Sequence, residues 1–257
     1  MRLTVIGCAG SFPGPDSPAS CYLAQADHEG RTFSLLLDLG NGALGALQRH
    51  LSPWEVDAVA FSHLHPDHCV DLCGLYVMRR YRPGHADGSQ HRIPVWGPTG
   101  ARERMAAING AEGPEDMGEE FTFRTHTDAT PVRIGPFTVT PHRVNHPVEA
   151  YGLRVEADGA TLAYTGDTDS CPALTPLMAG ADLVLSDSAF VDGRDHTEGI
   201  HLSGRRAAEA AVAAGGVRRL VLTHIPAWND PEVCRAQAAA VWPGDVGLAR
   251  PGTAYEL

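Results

Sequence analysis

The sequence contains no lysine, because all 20 of its basic residues are arginine. Arginine stands even at ordinary surface positions, and we interpret this bias as one of codon usage. The formal net charge is −11. A chain this acidic is repelled overall by a phosphate backbone, so it is a poor candidate for broad nucleic-acid binding. Nucleic acid is therefore not an expected partner.

The six cysteines form no C-x-x-C pair and no pattern typical of small disulfide-rich scaffolds. This spacing favours buried free thiols in a reducing compartment. No signal-peptide pattern precedes Leu3, and no apolar run approaches the length that crosses a membrane. The glycine-rich loop at residues 10–18 lacks the Gly-Lys-Ser/Thr ending of a P-loop. We therefore expect a cytoplasmic protein with no membrane partner.

The length and the apolar content predict one domain over residues 1–257. A chain of 257 residues that is 43% hydrophobic can bury an ample core. Strand-like and helix-like segments recur in both halves, and no linker separates them. Asp158-Gly159, between two strand-like segments, predicts a two-residue hairpin. The pattern predicts an α/β fold in which two packed sheets have helices outside them.

Residues 63–68, with the sequence H-L-H-P-D-H, hold the densest group of candidate ligands. Imidazole and carboxylate bind zinc and related divalent metals. Side chains two apart in an extended segment point the same way, so His63 and His65 can bind one ion. Pro66 suits the first turn of a helix, which we predict over residues 66–81 and which turns Asp67 and His68 toward a second ion. A polar loop with chance histidines is the alternative, and the full motif disfavours it.

Three further candidate ligands follow predicted strands at the point where a loop begins. They are His146, Asp167 and His224. Singly, each is equally well explained as a turn aspartate or a loop histidine. Ligands at strand ends on one edge of a sheet suit a preorganised site. With the first motif they supply seven ligands, which is enough for two ions that share one carboxylate.

With these residues in place, the sequence resembles the metallo-β-lactamase superfamily over essentially its whole length. The resemblance implies a single-domain, four-layer αββα sandwich with two divalent metal ions. The implied ligands are His63, His65 and His146 for one ion, and Asp67, His68 and His224 for the other, with Asp167 bridging them. Zinc is the expected metal, and manganese or iron is compatible with the same donors. Aspartate instead of cysteine at the bridging position is typical of the non-lactamase hydrolases.

Residues 199–203, G-I-H-L-S, resemble a segment of the tRNA 3′-processing endonucleases, the RNase Z family. In that family the histidine works with an acidic residue, and Asp187 stands in the corresponding place for His201. The endonucleases insert a long Gly/Pro-rich arm between their third and fourth metal motifs to hold tRNA. Here residues 147–166 leave room for one hairpin only. The missing arm and the acidic charge argue against tRNA as the substrate.

A closer resemblance is to the short bacterial cyclic-nucleotide phosphodiesterases of the superfamily, the atypical class II type. It extends to segments that metal binding does not require, namely residues 5–20, 42–50, 79–81 and 201–204. It implies a small phosphodiester as substrate, first of all 3′,5′-cyclic nucleotides such as cAMP. It also suggests a homodimer.

The implied reaction is attack on phosphorus by hydroxide that the metal pair activates. The candidate catalytic residues are Asp67, His201 and Asp187. In this hypothesis His201, oriented by Asp187, protonates the leaving 3′ oxygen. Ser203, at a helix N-terminus, is a candidate substrate-binding residue for the phosphate. A tRNA endonuclease, an acyl hydrolase for lactones or thioesters, and a non-catalytic metal-binding module are the alternatives.

Overall fold

The computed structural model describes residues 1–83, 91–110 and 117–257. In these ranges fourteen strands form two seven-stranded sheets. The first six strands are β1 (Arg2–Gly7), β2 (Cys21–His28), β3 (Arg31–Leu37), β4 (Ala58–Ala60), β5 (Ile93–Gly97) and β6 (Phe121–Thr125). The others are β7 (Val132–Ile134), β8 (Phe137–Arg143), β9 (Tyr151–Ala157), β10 (Ala160–Tyr164), β11 (Leu183–Asp187), β12 (Leu220–Thr223), β13 (Val246–Leu248) and β14 (Ala254–Glu256).

The first sheet has the strand order β14-β1-β2-β3-β4-β5-β6, and the second has the order β13-β12-β11-β10-β9-β8-β7. The chain therefore builds the sheets one after the other and returns to the first with its last strand. Strands β3 to β6 pair in parallel, as do β10 to β13. Parallel neighbours end at the same edge of a sheet, so each sheet has one edge at which several loops meet.

Helices cover the outer face of each sheet. They are α1 (Ala43–Leu47), α2 (Pro66–Cys69), α3 (Leu72–Arg80), α4 (Ala101–Ile108), α5 (Leu174–Met178), α6 (Gly204–Ala214) and α7 (Pro231–Ala239). Side chains alternate across β3: Leu35 and Leu37 contact the core between the sheets, and Leu36 contacts the core under α1, α3 and α4. A third core lies between the second sheet and α5, α6 and α7. These layers confirm the predicted αββα sandwich.

The predicted hairpin is confirmed. Strands β9 and β10 pair antiparallel, with Ala157 opposite Ala160, so the turn contains only Asp158 and Gly159. Both turn residues have positive φ, 54° and 76°. That conformation matches the twist of the flanking strands and suits the Asp-Gly dipeptide.

The prediction of one helix over residues 66–81 is wrong, because α2 and α3 are separate. The Asp71 amide donates to the carbonyl oxygen of Leu39 at 3.1 Å, and its carboxylate accepts the Leu44 amide at 2.9 Å. Gly40 passes so close to α2 that a Cβ there would lie 1.9 Å from the Asp67 carbonyl oxygen. The loop after β3 therefore takes the hydrogen bonds that would continue α2.

The sequence predicts polar loops that include residues 84–90 and 111–116. These two segments lie outside the described residues. Across the ranges that the structure describes, every helix is too short or too polar to span a membrane.

Candidate metal centre

The candidate ligands lie where the carboxyl ends of strands from both sheets meet. His63 follows β4 of the first sheet, and His224 follows β12 of the second. Asp187 is the last residue of β11, and Asp167 follows β10 by three positions. Strands β10, β11 and β12 are parallel neighbours, which brings their terminal residues to one edge. The two sheets thus deliver ligands to a common point.

The first ligand cluster contains three imidazoles, from His63, His65 and His146. The His63 Nε2 atom lies 2.9 Å from His65 Nδ1, and His146 Nε2 lies 3.2 Å from the same atom. His63 is fully buried, and the other two are half-buried. Three nitrogens that converge on one point match the ligand number of a catalytic zinc site, which keeps a fourth position open.

The second ligand cluster contains Asp67, His68, Asp167 and His224, all of them buried. His224 Nε2 lies 3.2 Å from His68 Nε2 and 3.1 Å from Asp67 Oδ2. His68 Nε2 lies 3.3 Å from Asp167 Oδ1. Nitrogen and carboxylate oxygen atoms therefore face each other at the spacing of ligands around one ion.

Asp167 lies between the two clusters. One of its oxygens, Oδ2, is 3.7 Å from His63 Nε2 and 3.4 Å from His224 Nε2. Its other oxygen, Oδ1, is buried, and although His68 Nε2 lies 3.3 Å away, Oδ1 accepts no well-aligned hydrogen bond. A buried carboxylate oxygen without a donor is costly unless a cation compensates it. This position suits the bridging role that the sequence predicts.

The charge balance of the centre also fits a bound cation. Its buried carboxylates belong to Asp38, Asp67, Asp167 and Asp187. Within the described part of the chain, their charged partners are all imidazoles. Burial of several negative charges costs several kcal/mol each if nothing compensates them. Divalent ions held by these imidazoles and carboxylates would replace imidazole protons as the compensating positive charge, so the donor set fits metal binding.

The imidazoles of the two clusters differ in protonation. Burial lowers the pKa of His63 well below its ordinary value, and it also lowers the pKa values of His65 and His146. Burial opposes the charged form of His224 too, but Asp167 and the other carboxylates raise its pKa to about 10. Without metal, the first cluster is therefore neutral and ready to bind an ion, whereas the second cluster would release protons when an ion enters.

Asp38 is a functional residue that the sequence analysis missed. It is fully buried at the end of β3, and its carboxylate accepts hydrogen bonds from the Ser62 amide at 2.7 Å and the Tyr164 hydroxyl at 2.6 Å. His68 Nδ1 lies 2.8 Å from the same carboxylate. A hydrogen bond there leaves Nε2 free to bind a metal. The available signal was the position of an aspartate directly after the apolar run at residues 35–37.

His201 and Asp187 form a pair next to the second cluster. His201 Nδ1 is 2.9 Å from Asp187 Oδ2 and 3.9 Å from Asp167 Oδ2. Asp187 is fully buried and also accepts the amides of Thr168 and Ala189. These bonds hold the carboxylate in place, so the imidazole of His201 is oriented from a rigid strand end.

A second carboxylate fixes the segment that contains His201. Asp169 accepts the Gly199 amide at 2.7 Å and pairs with the guanidinium of Arg206. The carbonyl oxygen of Ile200 is 2.9 Å from His146 Nδ1, so the same segment also orients a ligand of the first cluster. The loop before α6 is therefore connected to the metal centre on two sides. The sequence analysis did not identify Asp169 or Arg206.

Ser203 is the N-cap of α6. Its hydroxyl accepts the Arg206 amide at 3.3 Å, and the side chain is fully buried. The cap that the sequence predicts is present. A contact between Ser203 and a substrate stays a prediction.

Most of the chain matches a known protein family. Residues 34–225 match the family described as the beta-lactamase superfamily domain. The chain belongs to this superfamily. The matched segment contains both ligand clusters and the His201–Asp187 pair, so the family relationship applies to the whole centre.

Three relatives support a more specific description. Rv1339 of Mycobacterium tuberculosis is 43% identical over 96% of this chain and 88% of its own length. The probable metallo-hydrolase YhfI of Bacillus subtilis is 30% identical over the full length of both chains, and its crystal structure superposes with a TM-score of 0.86 over 99% of each chain. Ribonuclease Z of Mycobacterium bovis is 29% identical over 96% of this chain and 94% of its own length. The chain is thus a metallo-hydrolase of this superfamily, on a branch similar to RNase Z.

Proposed function

We propose that this metallo-hydrolase acts on small phosphodiesters, with 3′,5′-cyclic nucleotides such as cAMP as its substrates. The supporting observation is the His201–Asp187 pair, which lies within 3.9 Å of the Asp167 carboxylate. A ribose alkoxide is a poor leaving group and needs a proton as the ester bond breaks. A thiolate leaves without one, so a proton donor beside the metal ligands favours a phosphodiester over a thioester.

The pair is arranged for donation of a proton. In the charged form, His201 Nδ1–H donates to Asp187, and the proton on Nε2 is available to the leaving oxygen. Burial disfavours that form, but the adjacent Asp187 carboxylate outweighs it and raises the pKa of His201 above its ordinary value. Asp187 acts as a positioning residue, because it fixes the ring and does not contact the substrate in this scheme.

The two ligand clusters would hold the metal ions. The proposed ligands are His63, His65 and His146 for one ion, and Asp67, His68 and His224 for the other, with Asp167 shared. Bound divalent ions lower the pKa of water and polarise phosphoryl oxygens. Zinc is proposed first because the donors are imidazole nitrogens and carboxylate oxygens, which also admit manganese and iron.

The short segment between His146 and Asp167 supports a small substrate. Residues 147–166 contain the β9–β10 hairpin, whose strands pair along their length with a two-residue turn. This hairpin is part of the sheet and leaves no segment that extends away from the centre to hold a large nucleic acid. The acidic net charge of −11 supports the same conclusion.

A tRNA 3′-processing endonuclease is the second candidate, because the chain is 29% identical to Ribonuclease Z over nearly its whole length. It shares the phosphodiester bond with the first candidate, and the two differ in the size of the substrate.

The test is a panel assay with the zinc-loaded and the manganese-loaded protein. The substrates are cAMP, cGMP, 2′,3′-cyclic nucleotides, precursor tRNA, bis-p-nitrophenyl phosphate and an acyl thioester. We expect turnover of bis-p-nitrophenyl phosphate and of the 3′,5′-cyclic nucleotides. Cleavage of precursor tRNA without turnover of cyclic nucleotides would establish the second candidate, and turnover of the thioester alone would refute both.

A further inference from the structure

Two loops contact the second ligand cluster at His224. In the first loop, the amide of Ser11 is 3.2 Å from His224 Nε2, the nitrogen that faces the other ligands, although Ser11 itself is exposed. Gly10 packs on the backbone of the second loop, because a Cβ there would lie 2.2 Å from the His224 carbonyl oxygen. The chain at Ser11 thus extends from the ligand cluster to the solvent.

The second loop follows His224 and is held in place at its far end. The Asn229 side chain donates to the carbonyl oxygen of Ala189 at 2.8 Å, two residues beyond Asp187. The loop is therefore bound to the strand ends of both β12 and β11. Its backbone is fixed on either side of Trp228.

Each loop carries one aromatic side chain, and the two side chains meet. The rings of Phe12 and Trp228 pack with their centroids 4.8 Å apart at an interplanar angle of 40°. Trp228 is 65% exposed, although its backbone is anchored. Phe12 directly follows Ser11, so it begins one Cα step, about 3.8 Å, from the residue whose amide reaches the ligand cluster. The exposed indole, four residues after the candidate ligand His224, can bind a flat apolar group.

We propose that Phe12 and Trp228 form a stacking site for the nucleobase of the substrate. This inference rests on the proposed phosphodiesterase function. The base of a cyclic nucleotide lies one ribose away from its phosphate, so in this proposal a phosphate at the ligand clusters puts the base within reach of the two loops that contact His224. A purine presents a flat π-face that stacks on tryptophan, and the contact does not depend on hydrogen bonds to the base edge. The site therefore selects for the presence of a base, with a preference for purines over pyrimidines.

The test compares cAMP with methyl riboside 3′,5′-cyclic phosphate, which has the same phosphodiester but no base. Loss of a stacked base contact corresponds to a factor of about 10. We expect Trp228→Ala to lower the ratio of kcat/KM for cAMP to that for the base-free compound about 10-fold, mainly through KM. Trp228→Phe keeps a ring and should lose less than about 3-fold. Val212→Ala, an exposed apolar position on α6, is the matched control and should leave the ratio at its wild-type value.

Equilibrium dialysis separates failure of this inference from failure of the proposed function. The zinc-loaded protein should bind AMP more tightly than ribose 5-phosphate, and Trp228→Ala should remove that difference. If Trp228→Ala lowers kcat/KM equally for both cyclic substrates, the ratio stays at its wild-type value. That result would overturn the stacking site and leave the phosphodiesterase function standing. A wild-type protein that hydrolyses neither compound but still prefers AMP through Trp228 would retain the stacking site and refute the function.

Discussion

The hydroxyl of Tyr164 connects the second sheet to a metal ligand of the first. It donates to Asp38 Oδ2 at 2.6 Å, and the same oxygen lies 2.8 Å from His68 Nδ1. Asp38 also accepts the amide and the hydroxyl of Ser62. A carboxylate with this many donors has one stable orientation. The imidazole of His68 is therefore positioned by a residue that does not contact the metal itself.

Tyr164→Phe should weaken metal binding at the second cluster. The change removes one donor from Asp38, which loosens the orientation of His68, and such outer partners typically account for 10–100-fold in metal affinity. We expect an effect near the lower value, about 10-fold, measured by competition with a chromogenic chelator. Tyr22→Phe is the matched control, because its hydroxyl is equally buried but bonds Thr223 at 2.6 Å. Equal affinity in the two variants would contradict this role of Tyr164.

His201→Ala should slow the reaction in a way that depends on the leaving group. For cAMP, loss of the proton donor should lower kcat by about 10²–10⁴-fold. For bis-p-nitrophenyl phosphate the loss should be far smaller, because p-nitrophenolate leaves without protonation. Asp187→Asn should follow the same trend with a smaller loss, since the ring is present but less well oriented. Equal losses for both substrates would show that His201 serves another purpose, such as binding.

At the scale of secondary structure, the start of α6 allows a helix cap to be tested for stability and for a role in the reaction. Ser203 caps the helix through the Arg206 amide, and Asp230 caps α7 through the Glu232 amide. Ser203→Ala and Asp230→Ala should each lower the free energy of unfolding by about 1 kcal/mol. Urea denaturation measures that loss in both variants.

Kinetics then separate the two caps. Ser203 lies two residues after His201, so only Ser203→Ala should also lower kcat for cAMP, whereas Asp230→Ala tests stability alone. If the two variants turn over cAMP equally well, the cap of α6 has no part in the reaction.

The elements that the sequence predicts well are those with local causes. The β9–β10 hairpin follows from Asp158-Gly159, and α6 follows from Ser203 and the alanine-rich segment after it. The break between α2 and α3 has no local cause, because it depends on hydrogen bonds that join Asp71 to Leu39 and Leu44, far earlier in the chain.

The same division applies to the site. The ligands in residues 63–68 are visible as a motif, but Asp38, Asp169 and Arg206 act through contacts between distant segments. Asp169 and Arg206 have the sequence context of ordinary turn and helix residues, so only the fold reveals them, whereas Asp38 at least follows an apolar run.

At the scale of the whole molecule, His126 makes the stability depend on pH. It is 4% exposed, and its Nε2–H donates to the Phe61 carbonyl oxygen at 3.1 Å. Burial lowers its pKa to about 4. In the unfolded chain the pKa is about 6.5, so between these values the unfolded state binds the extra proton and stability falls as the pH decreases.

The resulting prediction uses His126→Gln, which can keep the hydrogen bond and cannot titrate. In metal-free protein, the free energy of unfolding of the wild type relative to His126→Gln should fall by about 3 kcal/mol from pH 7 to pH 4. Urea titrations at several pH values measure it. A difference that stays constant over this interval would mean that His126 has the same pKa in the folded protein as in the unfolded chain.

The second ligand cluster has a kinetic consequence, because its members come from both halves of the chain. Asp67 and His68 lie in α2, which follows β4 of the first sheet. Asp167 and His224 follow strands of the second sheet. An ion held there joins the two halves, yet it can bind only after both have docked. Interactions that form after the folding transition state slow unfolding and leave the folding rate unchanged. Chelation should therefore accelerate unfolding in urea at least about 10-fold, while refolding changes less than about 2-fold, both measured by stopped-flow fluorescence. A bound metal would thus be among the last contacts to form in folding and among the first that must break in unfolding.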